Sequence, residues 1–291
     1  MPAFLTRRRA SPGGAVGRQS LAARRRSEGR RGVVIALVST AIVFTGLGFA
    51  IVNAPGWPEI RRQFFDRNEF TSTFPDIASA FLLNVKIFCI SEVFILVLAL
   101  LLAVIRSLPG PVFFPLRVLA IVYADFFRGV PTILVITLLG FGAPALAVSG
   151  VPTSTTFWGI VALVLVYTAY VSEVYRAGIE SVHPSQAAAA RSLGLTHGQS
   201  LRYVVLPQAV RRVIPPLLND FIGLQKDTAL VGVLGSIEAF KQTQIDQAAT
   251  FNFTSGLAAA VLFVAVTIPL ARFTDWLVGR DRRRQLAGAP A

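Results

Sequence analysis

Charged side chains inside otherwise apolar stretches are the residues of this chain whose types could bind or move a polar solute. Four apolar stretches each contain an acid and a base close together that are candidates for such a role: Lys86 and Glu92, Asp125 and Arg128, Glu173 and Arg176, and Lys226 and Asp227. Each charge costs about 2.5 to 3.5 kcal/mol at the centre of a bilayer unless it is paired or faces water. These residues therefore predict either a hydrophilic pathway or structural ion pairs.

Two of the pairs have a spacing that allows local neutralisation. Asp125 and Arg128 lie three residues apart, as do Glu173 and Arg176, and this spacing brings side chains together on one helix face. We expect Asp125 with Arg128 to be structural, because a glycine and a proline follow and freed backbone groups need partners. For Glu173, pathway lining and structural pairing remain equal alternatives, and Tyr170 adds a hydroxyl one turn earlier.

The last pair lies where the sequence predicts a broken helix. Pro215, Pro216 and Gly223 are expected to interrupt the span that contains Lys226 and Asp227. Broken helices near the middle of the membrane are common at substrate sites of transporters. Lys226 and Asp227 are therefore candidates for residues that line the pathway.

Several kinds of site are excluded by residues that the sequence lacks. There is no GxxxxGK[ST] phosphate loop, so ATP hydrolysis would belong to a separate subunit. Two histidines and a single cysteine are too few for a histidine or cysteine metal centre. No grouping of nucleophile, base and acid is visible either. The chain is predicted to be no enzyme by itself and to bind no cofactor or metal.

Composition places the chain among polytopic membrane proteins. Of its 291 residues, 54% are hydrophobic and only 15% are charged, and the mean hydropathy is +0.62. The net charge of +13 would suggest nucleic acid in a soluble protein. Much of the excess lies beside apolar stretches at the two ends, which indicates membrane topology and no nucleic acid.

The pattern predicts an all-α protein with about six transmembrane helices, at residues 33–54, 77–105, 112–142, 157–178, 204–235 and 255–278. Residues 1–31 are predicted to be a disordered, Arg-rich cytoplasmic tail that contacts anionic membrane lipid. Residues 32–75 supply an additional first helix and an outer connection, and residues 281–291 a second cytoplasmic tail. Six spans return both Arg-rich ends to the cytoplasm.

A polar loop interrupts the apolar runs after the fourth span. Residues 179–203 are too many for a simple turn. The run Ala187 to Ala190 favours a short helix, which Gly194 could end in the left-handed conformation. A second short helical stretch follows. From the physics alone, an ordinary solvated loop is as good an interpretation as a docking element.

The same loop resembles the signature loop of permease subunits of binding-protein-dependent ABC importers, at residues 184–207. Its pattern is Glu-Ala-Ala, three residues, Gly, nine residues, Ile, one residue, Leu-Pro. The matching positions here are Ala189, Ala190, Gly194, Val204 in place of Ile, Leu206 and Pro207. Ala188 stands where the pattern has Glu, which removes one ion pair or cap. The resemblance implies that this loop docks into a groove of a cytoplasmic ATPase.

Three further segments are similar to the polar amino acid branch of these importers. They are FFRGVPT at 126–132, AYVSEVYRAGI at 169–179, and LPQAVRRVIPPLLNDFIGLQKDTAL at 206–230, where Ala229 replaces Ser. The resemblance covers residues 78–280 and implies a five-helix, MetI-like permease core within 76–280. Residues 1–75 lie outside it.

The resemblance implies a permease subunit of an ATP-driven importer of a polar amino acid in the bacterial plasma membrane. Its partners would be cytoplasmic ABC ATPase subunits, a second permease subunit, identical or similar, and an extracytoplasmic binding protein. Glutamate is one candidate substrate, although acids and bases in the spans are equally numerous. The alternative is an ion-coupled secondary transporter or a channel, whose expected internal repeat is not visible.

Arginine placement predicts the orientation of the chain. A single cysteine at Thr196, in a chain whose Cys89 is replaced by Ser, should react with an impermeant thiol reagent only after cells are opened, because loop 179–203 is expected inside. A cysteine within 55–75 should react in intact cells. Labelling of Thr196→Cys from outside would contradict this arrangement.

Overall fold

A computed structural model describes residues 13–108 and 110–287, and within these two ranges every regular element is helical. The α-helices are α1 Gly13–Val52, α2 Trp57–Phe64, α3 Arg67–Ser107, α4 Phe114–Gly129, α5 Thr132–Ala145, α6 Thr155–Glu180, α7 Pro184–Ser192, α8 His197–Ser200, α9 Leu206–Asp227, α10 Ala239–Thr250 and α11 Thr254–Ala287. A five-residue π-helical turn, Leu201–Val205, precedes α9, and a 3-10 segment, Thr228–Leu234, follows it. The all-α fold class is confirmed.

The number of helices able to cross a membrane is smaller than expected. Four described stretches are long and apolar enough: Gly32–Val52, Trp57–Ser107, Thr155–Glu180 and Thr254–Arg280. The bent pair Pro111–Gly129 and Thr132–Ala145 makes a fifth if it is one span. Helix α9 carries five charged residues, which explains why it is not among them. The predicted count of six is therefore not confirmed.

The predicted third span is sharply bent rather than continuous. Its two halves, α4 and α5, meet at 103°. The bend lies at Val130, which is extended with φ −96° and ψ 132°, immediately before Pro131. Proline disfavours the helical conformation of the residue before it and has no amide to donate. The Val130–Pro131 step thus ends α4 and redirects the chain.

The N-terminal unit, residues 1–61, contains one long helix. Helix α1 begins at Gly13, so the disorder predicted for residues 1–31 is wrong over 13–31, whereas residues 1–12 lie outside the described part. Arginine and alanine are good helix formers, and a helix already nucleated in the apolar span extends through them at little cost. The apolar stretch Gly32–Val52 agrees with the predicted first span.

Two boundaries in the second unit, residues 62–291, also differ from expectation. Helix α3 begins at Arg67 rather than near Ile77, because the Asp66 side chain caps it by accepting hydrogen bonds from the amides of Asn68 at 2.8 Å and Glu69 at 3.3 Å. Pro75 lies inside this helix. Helix α11 continues to Ala287, so the expected cytoplasmic tail at 281–291 starts within a helix.

Helix α6 is the centre of the second unit. It packs against α3, α4, α5 and α9, and its buried side chains form the main apolar core with residues of those neighbours. Glycines allow the closest approaches: a β-carbon at Gly159 would lie 2.7 Å from the Val231 side chain, and one at Gly178 would overlap Val213. Small residues at such crossings let membrane helices pack closely.

Helix α9 runs without a break through Pro215 and Pro216, so the interruption predicted there is wrong. The actual interruption comes after Asp227, where the chain changes to the 3-10 segment that ends at Gly235 with φ +89°. Val213 and Ala209 on α9 are buried against α6 around Gly178. This packing holds the turns of the helix that precede the prolines, whose fixed φ is itself helical.

The α6–α9 crossing gives a stability prediction. Gly178→Ala should lower the thermal unfolding temperature in detergent and cost roughly 1 to 3 kcal/mol, because the new methyl group overlaps the Val213 side chain. Gly142→Ala in α5 is the matched control, since nothing lies within 4 Å of the added carbon. Unfolding is followed by intrinsic fluorescence. Equal unfolding temperatures for the two variants would contradict the close approach of α6 and α9.

Candidate functional site

The carboxylate of Glu173 on α6 joins three helices. It accepts a hydrogen bond from Arg106 at the end of α3, and two from Arg176, at 3.0 Å from Nε and 2.8 Å from Nη2. Arg128 at the end of α4 lies 3.8 Å away. The side chains of Glu173 and Arg106 are only 15% and 11% exposed. An ion pair this buried is costly to break from one side only, because the remaining charge is left without a partner.

This network corrects one predicted pair and retains another. Glu173 and Arg176 are paired, as their spacing predicted. Asp125 is exposed and forms no ion pair with any residue in the described ranges, whereas Arg128 faces Glu173 instead. Arg128 stands in the last turn of α4, where that helix packs on α6, so a carboxylate on the neighbouring helix is within its reach.

Arg106 is the member of the network that sequence reasoning missed. It stands at the end of an apolar run, where an arginine is expected at the membrane surface, and no local spacing links it to Glu173, 67 residues later. The pairing depends on the packing of α3 on α6, which the sequence pattern does not specify. Tyr170 is 38% exposed, and its hydroxyl contacts the Arg128 carbonyl at 3.4 Å.

A cavity of about 430 Å³ adjoins this network. Its lining includes Arg128, Glu173, Ser181, Arg212 and Pro216. Arg212 on α9 donates a hydrogen bond to the Ser181 carbonyl at the end of α6. Since Arg176 also binds Glu180, three guanidinium groups of the network meet two carboxylates, and the excess charge is positive. This end of α6 is thus linked to α3, α4 and α9.

The loop after α6 contains the predicted short helix. Helix α7 starts with Pro184, and the His183 Nδ1 accepts a hydrogen bond from the Ser185 amide at 3.2 Å. Gly194 has φ +88°, and the next amide, of Leu195, donates to the Ala190 carbonyl at 3.2 Å. This left-handed glycine ends the helix in the manner expected from the sequence. The predicted helix and its glycine stop are confirmed.

The exposed surface of helix α7 combines small apolar side chains with one charge. Ala188 and Ala189 are exposed, whereas Ala190 is buried and Leu193 at the tip is 82% exposed. Arg191, one turn after Ala188, is exposed as well. The Ser200 hydroxyl donates to the Ala187 carbonyl at 3.3 Å, which ties α8 to α7.

The Leu-Pro that closes the loop follows a widened helical turn. The Leu206 amide hydrogen-bonds to the Leu201 carbonyl, five residues back, and Pro207 comes directly after it. Proline has no amide for the regular helical bond, so a wider turn before it is a local way to continue the helix. Leu206 and Pro207 are both exposed at the start of α9.

Lys226 and Asp227 face different surroundings. The Asp227 Oδ2 accepts a hydrogen bond at 3.0 Å from the hydroxyl of Tyr167, a residue the sequence analysis did not single out. Lys226 is exposed and lines a cavity of about 400 Å³ with side chains of α10 and α11, including Phe240, Phe263 and Thr267. In the described chain it lies within 4 Å of no carboxylate. Across residues 13–108 and 110–287, no three His, Cys, Asp or Glu side chains are grouped as metal ligands.

Comparisons with known proteins give one consistent result. A family model for binding-protein-dependent transport system inner membrane components matches residues 96–284. A probable glutamine ABC transporter permease of Bacillus subtilis is 35% identical over 185 residues, which cover 63% of this chain and 83% of that protein. An arginine transport system permease of the same species is 32% identical over 215 residues, 73% of this chain and 96% of that one.

Two solved structures are similar as well. An amino acid ABC transporter crystallised with histidines has a TM-score of 0.67 and 28% identity, covering 74% of this chain and 98% of that chain. The MetNI methionine ABC transporter, in an inward-facing conformation, has a TM-score of 0.56 at 18% identity, covering 70% and 95%. The second similarity concerns the fold alone.

The charge network gives a second stability prediction. Glu173→Gln should lower the free energy of unfolding by roughly 2 to 3 kcal/mol, because the largely buried Arg106 loses its anionic partner. Glu180→Gln is the control, since that carboxylate is 62% exposed and, among the described residues, pairs with Arg176 alone. Thermal unfolding in detergent measures both, and an equal loss in the two variants would show that the network has no central carboxylate.

Proposed function

The chain belongs to the family of binding-protein-dependent transport system inner membrane components, and from that premise we propose that it is the permease subunit of an ATP-driven importer of a polar amino acid. The observation that carries the proposal is α7, a short helix on the loop after α6 that exposes the small side chains of Ala188 and Ala189 beside Arg191. The relatives named for glutamine and arginine support an amino acid as substrate. Glutamate remains a candidate substrate of this chain.

The partner that α7 fits is a cytoplasmic ABC ATPase, which would bind and hydrolyse the ATP. Exposed Ala188 and Ala189 allow close approach of a groove, and Leu193 offers an apolar anchor at its end. Ala188 provides no carboxylate, so this contact would combine shape and apolar burial with the positive charge of Arg191, one turn after Ala188. Gly194, Leu206 and Pro207 give the loop its return path into α9.

A displacement of α7 would be transmitted directly to other helices of the second unit. The loop starts from the end of α6, where Arg212 of α9 holds the Ser181 carbonyl, and it returns into α9 itself. Glu173 then links α6 to α3 and α4. Closure of the two ATPases on ATP would therefore move these helix ends together and favour an outward-facing pathway.

Several charged and polar residues are our candidates for the pathway: Tyr170, Glu173, Arg176, Lys226 and Asp227. Lys226 has the clearest geometry, because it faces a cavity large enough for an amino acid and no carboxylate of the described residues lies within 4 Å of it. A second permease subunit, identical or similar, would complete the pathway, and an extracytoplasmic binding protein would deliver the substrate. We place the complex in the bacterial plasma membrane with both termini in the cytoplasm.

Copurification in mild detergent tests this proposal against the alternative. An importer subunit should retain an ATPase, and uptake into vesicles should require internal ATP together with the loaded binding protein. An ion-coupled transporter or a channel needs no ATPase, no internal ATP and no binding protein. Uptake by this chain alone, driven by an ion gradient, would overturn the proposal.

The inner loop supplies the sharper prediction. Gly194→Asp should leave the amount of protein in the membrane normal but abolish uptake and the stimulation of ATP hydrolysis by loaded binding protein, because bulk and charge are added at the end of α7. Ala188→Glu, which restores the carboxylate of the family pattern, should be tolerated.

A matched control for Gly194→Asp is Gly150→Asp, in the connection between α5 and α6. Gly150 has φ +87° and open space around it, as Gly194 does with φ +88°. The two substitutions therefore impose the same backbone strain, but only one lies on the proposed docking loop. Full transport and full stimulated hydrolysis by Gly194→Asp would exclude this loop as the coupling element.

A further inference from the structure

A buried polar cluster connects α3 to the segment that follows α9. We use the term hairpin for residues 228–250, which comprise the 3-10 segment Thr228–Leu234, a turn at Gly235 and helix α10. Asn84 on α3 and Glu238 in the turn are 2% and 0% exposed. Neither residue belongs to the charge network around Glu173 or to the inner loop.

Asn84 uses both ends of its amide on the hairpin. Its Nδ2 donates to the Glu238 Oε2 at 3.0 Å and to the Thr228 Oγ1 at 3.1 Å. Its Oδ1 accepts from the Ala239 amide at 3.0 Å. A side chain that must donate on one side and accept on the other is satisfied in only one register, so these bonds specify where the hairpin sits on α3.

Glu238 is held from several directions at once. Besides Asn84, it accepts hydrogen bonds from the amides of Phe240 at 2.8 Å and Lys241 at 2.7 Å, as the cap of α10. Gly232 packs directly against this carboxylate, and a β-carbon there would lie 3.2 Å from its Cδ. The carboxylate thus links the two arms of the hairpin as well as the hairpin to α3.

The cluster continues into the helices that border the cavities. The Thr228 hydroxyl donates to the Gln225 carbonyl at 2.8 Å, and the Gln225 side chain accepts from Thr267 of α11 at 2.9 Å. Asn84 is therefore the point at which α3, the end of α9, the hairpin and, through Gln225, α11 are joined by hydrogen bonds.

The hairpin forms a wall shared by two cavities. One is the cavity of about 400 Å³ that Lys226 lines, and the other, of about 390 Å³, is lined by Val233, Lys241 and Gln244. Ala229 and Phe240 border both. Any shift of the hairpin on α3 would change the shape of both cavities together.

We propose that Asn84 and Glu238 are positioning residues for transport: their buried hydrogen bonds fasten the hairpin to α3, so that the wall of both cavities keeps one position while the beginning of α9, near Leu206, moves with the inner loop. This rests on the proposed function, because it assigns the cavities to the solute pathway. Burial alone would be served by apolar side chains, which pack without the need for matched donors and acceptors. The polar cluster instead supplies a single register.

Four variants separate this role from simple stability. Asn84→Asp places a carboxylate against Glu238. Glu238→Gln replaces one carboxylate oxygen by an NH₂ group, which must then face either the Asn84 Nδ2 or the Lys241 amide, both of them donors. Each should weaken the attachment, because like charges or two donors then face each other. The double variant Asn84→Asp with Glu238→Gln restores a donor opposite an acceptor. Ile87→Ala is the stability control, since Ile87 is fully buried on α3, one turn from Asn84, but packs in the main core around α6.

The first measurement follows the hairpin itself and needs neither ATP nor a partner. A cysteine at Val233, which is 50% exposed and lines a cavity, is placed in a chain with Cys89→Ser. We expect the rate at which this cysteine reacts with a small thiol reagent to change roughly tenfold in Asn84→Asp and in Glu238→Gln. A tenfold change corresponds to a loss of about 1.4 kcal/mol in the free energy that holds the hairpin on α3. The double variant should return to within about threefold of the parent, and Ile87→Ala should stay there even if its unfolding temperature falls.

The second measurement is uptake by the assembled importer. The single variants should show uptake reduced roughly tenfold at normal membrane amounts, with substantial rescue in the double variant and little loss in Ile87→Ala. The proposal would be overturned if Asn84→Asp and Glu238→Gln both kept the labelling rate of the parent chain. It would also be overturned if the losses of uptake in the four variants followed only the falls in their unfolding temperatures. If labelling responds as expected but the parent chain shows no ATP-dependent uptake, the attachment stands and the proposed transport function fails.

Discussion

A polar group carried into an apolar medium is costly unless it finds a partner within the protein, and two side-chain clusters of the described chain supply such partners. Glu173 gathers Arg106, Arg128 and Arg176 at one end of α6. Asn84 and Glu238 satisfy each other and the backbone of the hairpin. Water is not available in the hydrocarbon region to replace a missing partner, so each cluster fixes the helices that contribute to it.

The backbone obeys the same constraint where helices are interrupted. The step at Val130–Pro131 turns the chain through 103°, and the 3-10 segment after Asp227 keeps local hydrogen bonds up to Gly235. Between these irregular places lie long helices that satisfy their own amides. The 3-10 segment packs against α5 and α6, where Gly140 of α5 and Gly159 of α6 leave room for Leu234 and Val231.

The features that could be predicted from the sequence are those decided by neighbouring residues. Alanines followed by a glycine predicted α7 and its left-handed stop, and the spacing of Glu173 and Arg176 predicted their pair. Arg128 turned to a carboxylate on another helix, and α9 continued through Pro215 and Pro216 because packing against α6 supports it. Asn84 carries no pattern at all: its importance depends on Glu238, 154 residues away.

The exposed surface of α7 responds to salt in two different ways. Contacts between surface charges weaken as salt accumulates, because the screening length falls from about 10 Å at 0.1 M to about 3 Å at 1 M, whereas apolar burial does not weaken in this way. A partner bound to this surface would therefore lose the contribution of the exposed Arg191 in concentrated salt but keep that of Ala188, Ala189 and Leu193.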